Sequence, residues 1–166
     1  MLKLITGGAR SGKSSFAEKL AAEFDRVTYI ATAQAFDDEM RDRIARHRAR
    51  RPSHWTTVEA PFDAHQIIDR IDADCILFDC LTVYLSNFLC RSLDEDPIEY
   101  CGRLLDAMTK FNGTSLVVTN EVGSGIVPMN ELARAFRDHQ GLINQSFAAV
   151  ADEVYLCACG LPLRLK

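Results

Sequence analysis

One stretch decides the fold of this chain: Gly7-Gly8-Ala9-Arg10-Ser11-Gly12-Lys13-Ser14. It matches the pattern G-x-x-x-x-G-K-[S/T], a glycine-rich loop whose backbone N–H groups surround the phosphates of a nucleotide. The apolar run at 2–6 predicts a strand before the loop. Apolar residues spaced three and four apart over 14–24 predict a helix after it. This context is the one the motif requires, so the stretch is interpreted as a P-loop.

The residues of this loop have distinct physical tasks. Gly7 lets the chain leave the strand, and Gly12 lets backbone N–H groups close on an anion at the start of the helix. Lys13 is predicted to reach the β and γ phosphates and to act in catalysis. The Ser14 hydroxyl is predicted to hold Mg²⁺, which bridges those phosphates. All of residues 7–14 are therefore predicted to bind a nucleoside triphosphate with Mg²⁺.

Composition narrows the class of protein. A chain of 166 residues that is 48% hydrophobic and 25% charged is predicted to form a single domain spanning 1–166. Its net charge of −4 argues against general nucleic-acid binding. No apolar run approaches the length of a membrane span and no leader pattern is present, so no membrane insertion is expected. The six cysteines lack metal-binding spacing, which predicts buried thiols and a reducing cytoplasm.

The rest of the chain alternates between strand and helix patterns. Further strands are predicted at 27–32, 56–59, 75–79, 115–119, 154–158 and 161–165, and helices at 37–48, 64–71, 81–90, 98–111 and 130–151. This order predicts an α/β fold of the P-loop nucleotide-hydrolase type. Its central sheet is mostly parallel, flanked by helices, and ends in an antiparallel hairpin.

Two local details accompany this prediction. Asp63 is expected to cap the helix at 64–71, and the acidic segment 94–97 is expected to form a turn. The long helix is predicted to bury one apolar face, formed by Leu132, Ala135, Phe136, Leu142, Ile143 and Phe147.

Parallel strands deliver their last residues to one edge of a sheet, where ligands bind. The small residues Ala31, Thr32 and Ala33 leave room there for a ligand. Asp79 has two interpretations, a ligand of the Mg²⁺ shell or a cap of the next helix, and the P-loop favours the first. Glu121 either contacts the same ion or the acceptor hydroxyl, or is a loop carboxylate without a catalytic role.

Arginines are concentrated in a short segment of this acidic chain. Between Arg41 and Arg51 lie further arginines at 43, 46, 48 and 50, with Asp42 as the single acid. The segment indicates either an anionic ligand or a solvated helix face. His47 forms a stripe with Met40 and Ile44, and a neutral imidazole among arginines can attack a phosphorus centre. A packed or solvent-facing histidine is the commoner arrangement, and the neighbouring His54 competes for the role.

Taken together, these residues resemble one family, the bifunctional adenosylcobinamide kinase/adenosylcobinamide-phosphate guanylyltransferase of cobalamin biosynthesis. The resemblance covers nearly the whole chain. Its motifs, in the family's order, are residues 7–14, Tyr29-Ile30-Ala31-Thr32-Ala33, Asp37-Asp38-Glu39-Met40, His47-Arg48, Arg51-Pro52, His54-Trp55, Thr119-Asn120-Glu121-Val122-Gly123 and Gly125-Ile126-Val127-Pro128.

The resemblance implies two reactions. Adenosylcobinamide is phosphorylated by ATP or GTP, and GMP is then transferred from GTP to that phosphate through a guanylylated histidine, which corresponds to His47. The resemblance also implies a sheet of mostly parallel strands and a homotrimer. Nucleotide contacts carry over to the P-loop and to Ala31, Thr32, Ala33, Arg48, Ala49, Arg50, Arg51 and Glu59.

Two other functions fit the P-loop. One is a simple small-molecule kinase that transfers the γ-phosphoryl group without a covalent intermediate. The other is a nucleotide-dependent switch, which the arginine-rich segment around His47 disfavours. The chain contains no N-K-x-D motif for guanine recognition, so a preference for guanine follows from the resemblance alone.

Overall fold

The computed structural model describes residues 1–91 and 95–166, with every side chain in those ranges except that of Arg43. The strands are β1 (Leu2–Gly7), β2 (Val27–Ala31), β3 (Thr56–Glu59), β4 (Cys75–Asp79), β5 (Thr114–Val118), β6 (Glu153–Ala158) and β7 (Leu161–Arg164). The helices are α1 (Lys13–Ala21), α2 (Asp38–Arg50), α3 (His65–Ile68), α4 (Leu81–Cys90), α5 (Pro97–Lys110) and α6 (Glu131–Val150).

The strands form one sheet in the order β3-β2-β4-β5-β1-β6-β7. Every neighbouring pair is parallel except β6 and β7, which form the C-terminal antiparallel hairpin. This arrangement confirms the predicted fold class. It also places β5 between β4 and the P-loop strand β1, which decides which side chains meet at the carboxyl edge.

The central strands of the sheet are buried on both faces. Along β4, Ile76 and Phe78 pack into a core formed with α3 to α6, whereas Leu77 points into a second core that contains Ala17 and Ala21 of α1. This alternation explains why β4 is a continuous apolar run, because both of its faces are covered by helices. No helix in the described ranges is long and apolar enough to cross a bilayer.

The predicted cap at Asp63 is wrong. Helix α3 begins at His65 after Ala64, without a side-chain cap. The N–H groups of Asp63 and Ala64 instead donate to two buried tyrosine hydroxyls, those of Tyr100 at 2.8 Å and Tyr84 at 3.2 Å. Asp63 itself has a positive φ of 48°, unlike the extended backbone of a capping residue, and its carboxylate pairs with the guanidinium of Arg91 at 3.5 Å. The predicted acidic turn at 94–97 begins with Asp94, which lies outside the described residues.

The predicted apolar face of the long helix is partly wrong. Ile143 and Phe147 are buried as expected, but Leu132 and Leu142 are 60% and 52% exposed. The position that the pattern assigned to Leu142 is taken by Gln140, which is fully buried. A search for apolar periodicity does not detect a buried polar side chain such as that of Gln140, whose hydrogen bonds are described below.

The prediction that the cysteines are buried is also wrong in part. All six thiols are free, as expected, but Cys90 and Cys159 are exposed. Cys159 lies in the tight turn of the β6–β7 hairpin, with a φ of 53°, and a turn of this kind stays at the surface.

Candidate active site

The P-loop is packed against the C-terminal hairpin. Gly12 has a φ of 92°, and a Cβ added there would lie 2.9 Å from the Cα of Gly160 in the hairpin turn. The N–H of Gly160 donates to the carbonyl of Ser11 at 3.0 Å. Gly12 is therefore required both by its backbone conformation and by this close approach. The hairpin at the C-terminus thus supports the loop at the N-terminus.

The start of α1 presents the features of a phosphate site. The helix begins at Lys13, directly after the loop, so its unpaired N–H groups and its positive dipole end face the same point as the loop. The Lys13 ammonium donates to the carbonyl of Gly8 at 2.9 Å, which holds the side chain across the loop. This geometry places a cation and several N–H donors around one anion site.

A cavity of about 590 Å³ opens beside this loop and brings together residues that are distant in sequence. Lys13 and Ser14 line it on one side. The other predicted site residues in its lining are Ala31, Ala33, His47, Arg48, Arg51, Glu59 and Asp79.

Some predicted nucleotide contacts lie outside this lining. Residues 7–12, Ala49 and Arg50 are not part of it. Arg50 instead pairs with Glu18 of α1, with 3.0 Å between guanidinium and carboxylate. Thr32 is fully buried, and its hydroxyl accepts a hydrogen bond from the N–H of Cys80 at 2.8 Å. Thr32 therefore ties the end of β2 to the end of β4, while its predicted nucleotide contact stays a prediction.

Helix α2 forms one wall of the cavity. Asp37 caps the helix by accepting from the N–H of Met40 at 2.7 Å. Met40, Ile44 and His47 then follow at spacings of four and three, and all three line the cavity. Leaving Arg43 aside, no residue of α2 is buried. The stripe found in the sequence therefore faces a ligand cavity and not the protein core.

Unlike α2, the carboxyl edge of the sheet contributes side chains that are partly or fully buried and hydrogen-bonded to one another. The Tyr29 hydroxyl donates to Oδ2 of Asp79 at 2.7 Å. Burial and the Asp79 carboxylate both raise the pKa of Tyr29, so the phenol stays protonated and remains a donor. On its other side, the Tyr29 ring lies 3.4 Å from the guanidinium carbon of Arg51. Tyr29 therefore connects an arginine of the loop after α2 to the predicted metal ligand.

The alternative role of Asp79 as a helix cap is not used. The cap of α4 is Cys80, whose Sγ accepts from the N–H of Val83 at 3.4 Å. Burial and the neighbouring Asp79 carboxylate raise the pKa of the Cys80 thiol to about 12, so this cavity residue is not a thiolate at neutral pH. Glu121 lies outside the lining, and its carboxylate accepts from the N–H of Gly123 at 2.6 Å.

Comparison with known proteins identifies the family. The model of the cobinamide kinase/cobinamide phosphate guanyltransferase family matches residues 3–165. The chain belongs to this family. This result confirms the family predicted from the motifs.

Curated relatives match over the full length of this family member. A bifunctional adenosylcobalamin biosynthesis protein from Pseudomonas aeruginosa is 46% identical over 173 residues, which cover 100% of this chain and 98% of the relative. Proteins with the same descriptive name from Salmonella typhimurium and Escherichia coli are each 41% identical over 181 residues, covering 100% of both chains.

The side chains that line the cavity include oxygen donors of the kind that bind Mg²⁺. The Ser14 hydroxyl and the Asp79 carboxylate both line it, and Mg²⁺ binds hard oxygen ligands, usually one or two from protein and the rest from phosphates and water. Within 1–91 and 95–166, no cluster of three or more His, Cys, Asp or Glu side chains could hold a metal alone. Ser14 and Asp79 therefore fit an ion whose remaining ligands are phosphate and water oxygens.

Sequence reasoning missed the polar side chains that build the sheet edge. Tyr29 has buried neighbours on both sides in β2, so its pattern predicts a core residue. Asn87 lies inside the apolar helix α4, yet its amide donates to the carbonyls of Thr32 at 2.8 Å and Pro61 at 3.1 Å. The available signal was a polar residue within an otherwise apolar run, because a buried amide requires partners.

Proposed function

We propose that this chain catalyses both reactions in its family's name. It phosphorylates adenosylcobinamide with ATP or GTP, and it then transfers GMP from GTP to adenosylcobinamide phosphate through guanylylated His47. The observation that carries this proposal is that His47 lines the same cavity as Lys13, Ser14 and Asp79. A nucleophile and a triphosphate site in one cavity are what both reactions need.

In the phosphorylation step, the loop and the start of α1 bind the triphosphate. Lys13 stabilises the charge that develops on the β and γ phosphates, and Ser14 and Asp79 would hold Mg²⁺. When bound there, the ion would neutralise negative charge on the triphosphate. Tyr29 keeps the Asp79 carboxylate in position through its 2.7 Å hydrogen bond.

In the guanylyl transfer, an imidazole nitrogen of His47 attacks the α-phosphorus of GTP. A P–N bond forms, the bond from the α-phosphorus to the bridging oxygen breaks, and pyrophosphate leaves with the electron pair. Arg48 and Arg51, which also line the cavity, supply positive charge toward that leaving group. An oxygen of adenosylcobinamide phosphate then attacks the same phosphorus, and the P–N bond breaks to restore His47.

We propose a homotrimer as the assembly and the cytoplasm as the location. Ile126 and Met129, in the loop before α6, are 97% and 99% exposed, and such apolar side chains favour contact between subunits. The six free thiols are consistent with a reducing compartment. Light scattering checks the assembly, with a mass three times that of the chain expected and a monomer mass contradicting it.

The covalent step is tested with GTP labelled at either the α or the γ phosphate. The wild type and His47→Ala are incubated with Mg²⁺ and GTP, and His54→Ala serves as a matched control because His54 is a nearby exposed histidine. We expect acid-labile, base-stable label from the α position in the wild type and in His54→Ala, and none in His47→Ala. Absence of covalent label in the wild type, together with intact phosphorylation of adenosylcobinamide, would leave the simple kinase.

A further inference from the structure

The position of Asn120 follows from the strand order. Val118, the last residue of β5, is level with Ile5 of β1 on one side and with Asp79 of β4 on the other. Asn120 comes two residues later, so it leaves the sheet between the P-loop and Asp79. It lines the cavity together with Lys13, Ser14 and Asp79. Asn120 therefore shares the cavity with the residues that we propose to act on the β and γ phosphates.

The backbone of Asn120 is fixed from two helices. Its N–H donates to the hydroxyl of Thr82, on α4, at 2.7 Å. Its carbonyl accepts from the side-chain amide of Asn144, on α6, at 3.0 Å. The residue therefore keeps one orientation before any ligand binds, which lowers the entropy cost of positioning a reacting group.

A buried network stands behind these two contacts. Gln140, which is fully buried, donates to the hydroxyl of Thr119 at 3.0 Å and to Oδ1 of Asn144 at 2.8 Å. Burying so many polar groups is costly unless they are bonded to one another. Apolar side chains would occupy these buried positions at a lower free-energy cost. The network therefore indicates that the orientation of residues 119–120 has to be fixed.

The side chain of Asn120 is less satisfied than its backbone. Its Oδ1 is buried and has no hydrogen-bond partner within the described part of the chain. A buried acceptor without a donor is destabilising, and such groups in native proteins call for an explanation. A ligand hydroxyl that enters the cavity would supply the missing donor.

We propose that Asn120 is a catalytic residue of the phosphoryl transfer and not of the guanylyl transfer, in which the bonds that change lie at the α-phosphorus and not at the γ-phosphoryl group that it contacts. Its amide nitrogen donates to an oxygen of the γ-phosphoryl group, and its Oδ1 accepts from the hydroxyl of the acceptor. In this step a bond forms between the hydroxyl oxygen and the γ-phosphorus, and the bond from that phosphorus to the β–γ bridging oxygen breaks. The nucleoside diphosphate leaves with the electron pair, and the hydroxyl proton passes to solvent.

This inference rests on the kinase half of the proposed function and does not depend on His47. It is tested by measuring two rates on each preparation, γ-phosphoryl transfer to adenosylcobinamide and covalent labelling by α-labelled GTP. The variants are Asn120→Ala and the isosteric Asn120→Asp. Asn112→Ala is the matched control, because Asn112 is an exposed asparagine at the opposite end of β5.

We expect Asn120→Ala to lower kcat for phosphoryl transfer about 100-fold, as loss of one donor to a developing charge does in other enzymes. Asn120→Asp should be slower still, because a carboxylate repels the phosphoryl oxygens. Covalent labelling and the KM for GTP should stay within about threefold of wild type, since the α-phosphate and the loop are untouched. Asn112→Ala should match wild type in both rates.

Two outcomes would overturn the proposal. Equal losses in both rates would show that Asn120 only maintains the fold, and unchanged phosphoryl transfer would show that it makes no contact in that reaction. If Asn120→Ala does not fold, Asn120→Asp decides, since it keeps the shape and both backbone hydrogen bonds. If the wild type gives no covalent label, the guanylyl-histidine proposal fails, while the phosphoryl-transfer rate of each variant still tests Asn120.

Discussion

The cavity has two walls of contrasting construction. The sheet-edge wall, formed by Tyr29, Asp79 and Asn120, stands on buried strands and on hydrogen bonds to α4 and α6. The α2 wall, formed by Met40, Ile44 and His47, belongs to a helix in which no described side chain is buried. Fixed groups suit the stabilisation of a developing charge, whereas a weakly packed helix can move relative to the sheet. The contrast agrees with our proposal, which gives phosphoryl transfer to the first wall and the covalent nucleophile to the second.

The largest expected effect comes from substituting Lys13, which we propose to act in both reactions. Lys13→Ala should lower kcat/KM for phosphoryl transfer and for guanylyl transfer alike, each by about 1000-fold, because both reactions use the same bound triphosphate. Steady-state kinetics with each substrate measures this effect. Lys19→Ala is the control, since Lys19 is exposed on the outer face of α1. A loss confined to one reaction would show that the two do not share this phosphate site.

A smaller effect is expected within the sheet-edge wall. Tyr29→Phe removes the donor to Asp79 and keeps the ring beneath Arg51. One hydrogen bond to a charged group corresponds to about a tenfold change, so the Mg²⁺ concentration for half-maximal phosphoryl transfer should rise about tenfold. Tyr155→Phe is the control, because its hydroxyl contacts Glu153 on β6 at 2.7 Å. An unchanged Mg²⁺ requirement would contradict the positioning role of Tyr29.

The sequence predicted the parts of this site that depend on local pattern. The P-loop needs only eight consecutive residues and their flanks, and Asp79 follows from the rule that parallel strands end at one edge. His47 was found as the polar member of a helical stripe, and the structure places that stripe in the cavity.

The features that the sequence did not predict depend on contacts across long separations. The partner of Tyr29 is 50 residues away, and the network of Gln140 reaches Thr119, which is 21 residues away. The expected cap at Asp63 failed for the same reason, because its carboxylate pairs with the distant Arg91. Arg50 belongs to the predicted anion-binding segment, yet tertiary packing directs it to Glu18.

The claim that one cavity serves both reactions is tested most directly with GDP as an inhibitor of the wild type. Phosphoryl transfer and covalent labelling are measured with the same GTP donor over a range of GDP concentrations. A single nucleotide site requires GDP to compete with GTP in both assays, with the same inhibition constant. Inhibition constants that differ more than about tenfold, equivalent to about 1.4 kcal/mol of binding free energy, or noncompetitive inhibition in one assay, would show two separate nucleotide sites.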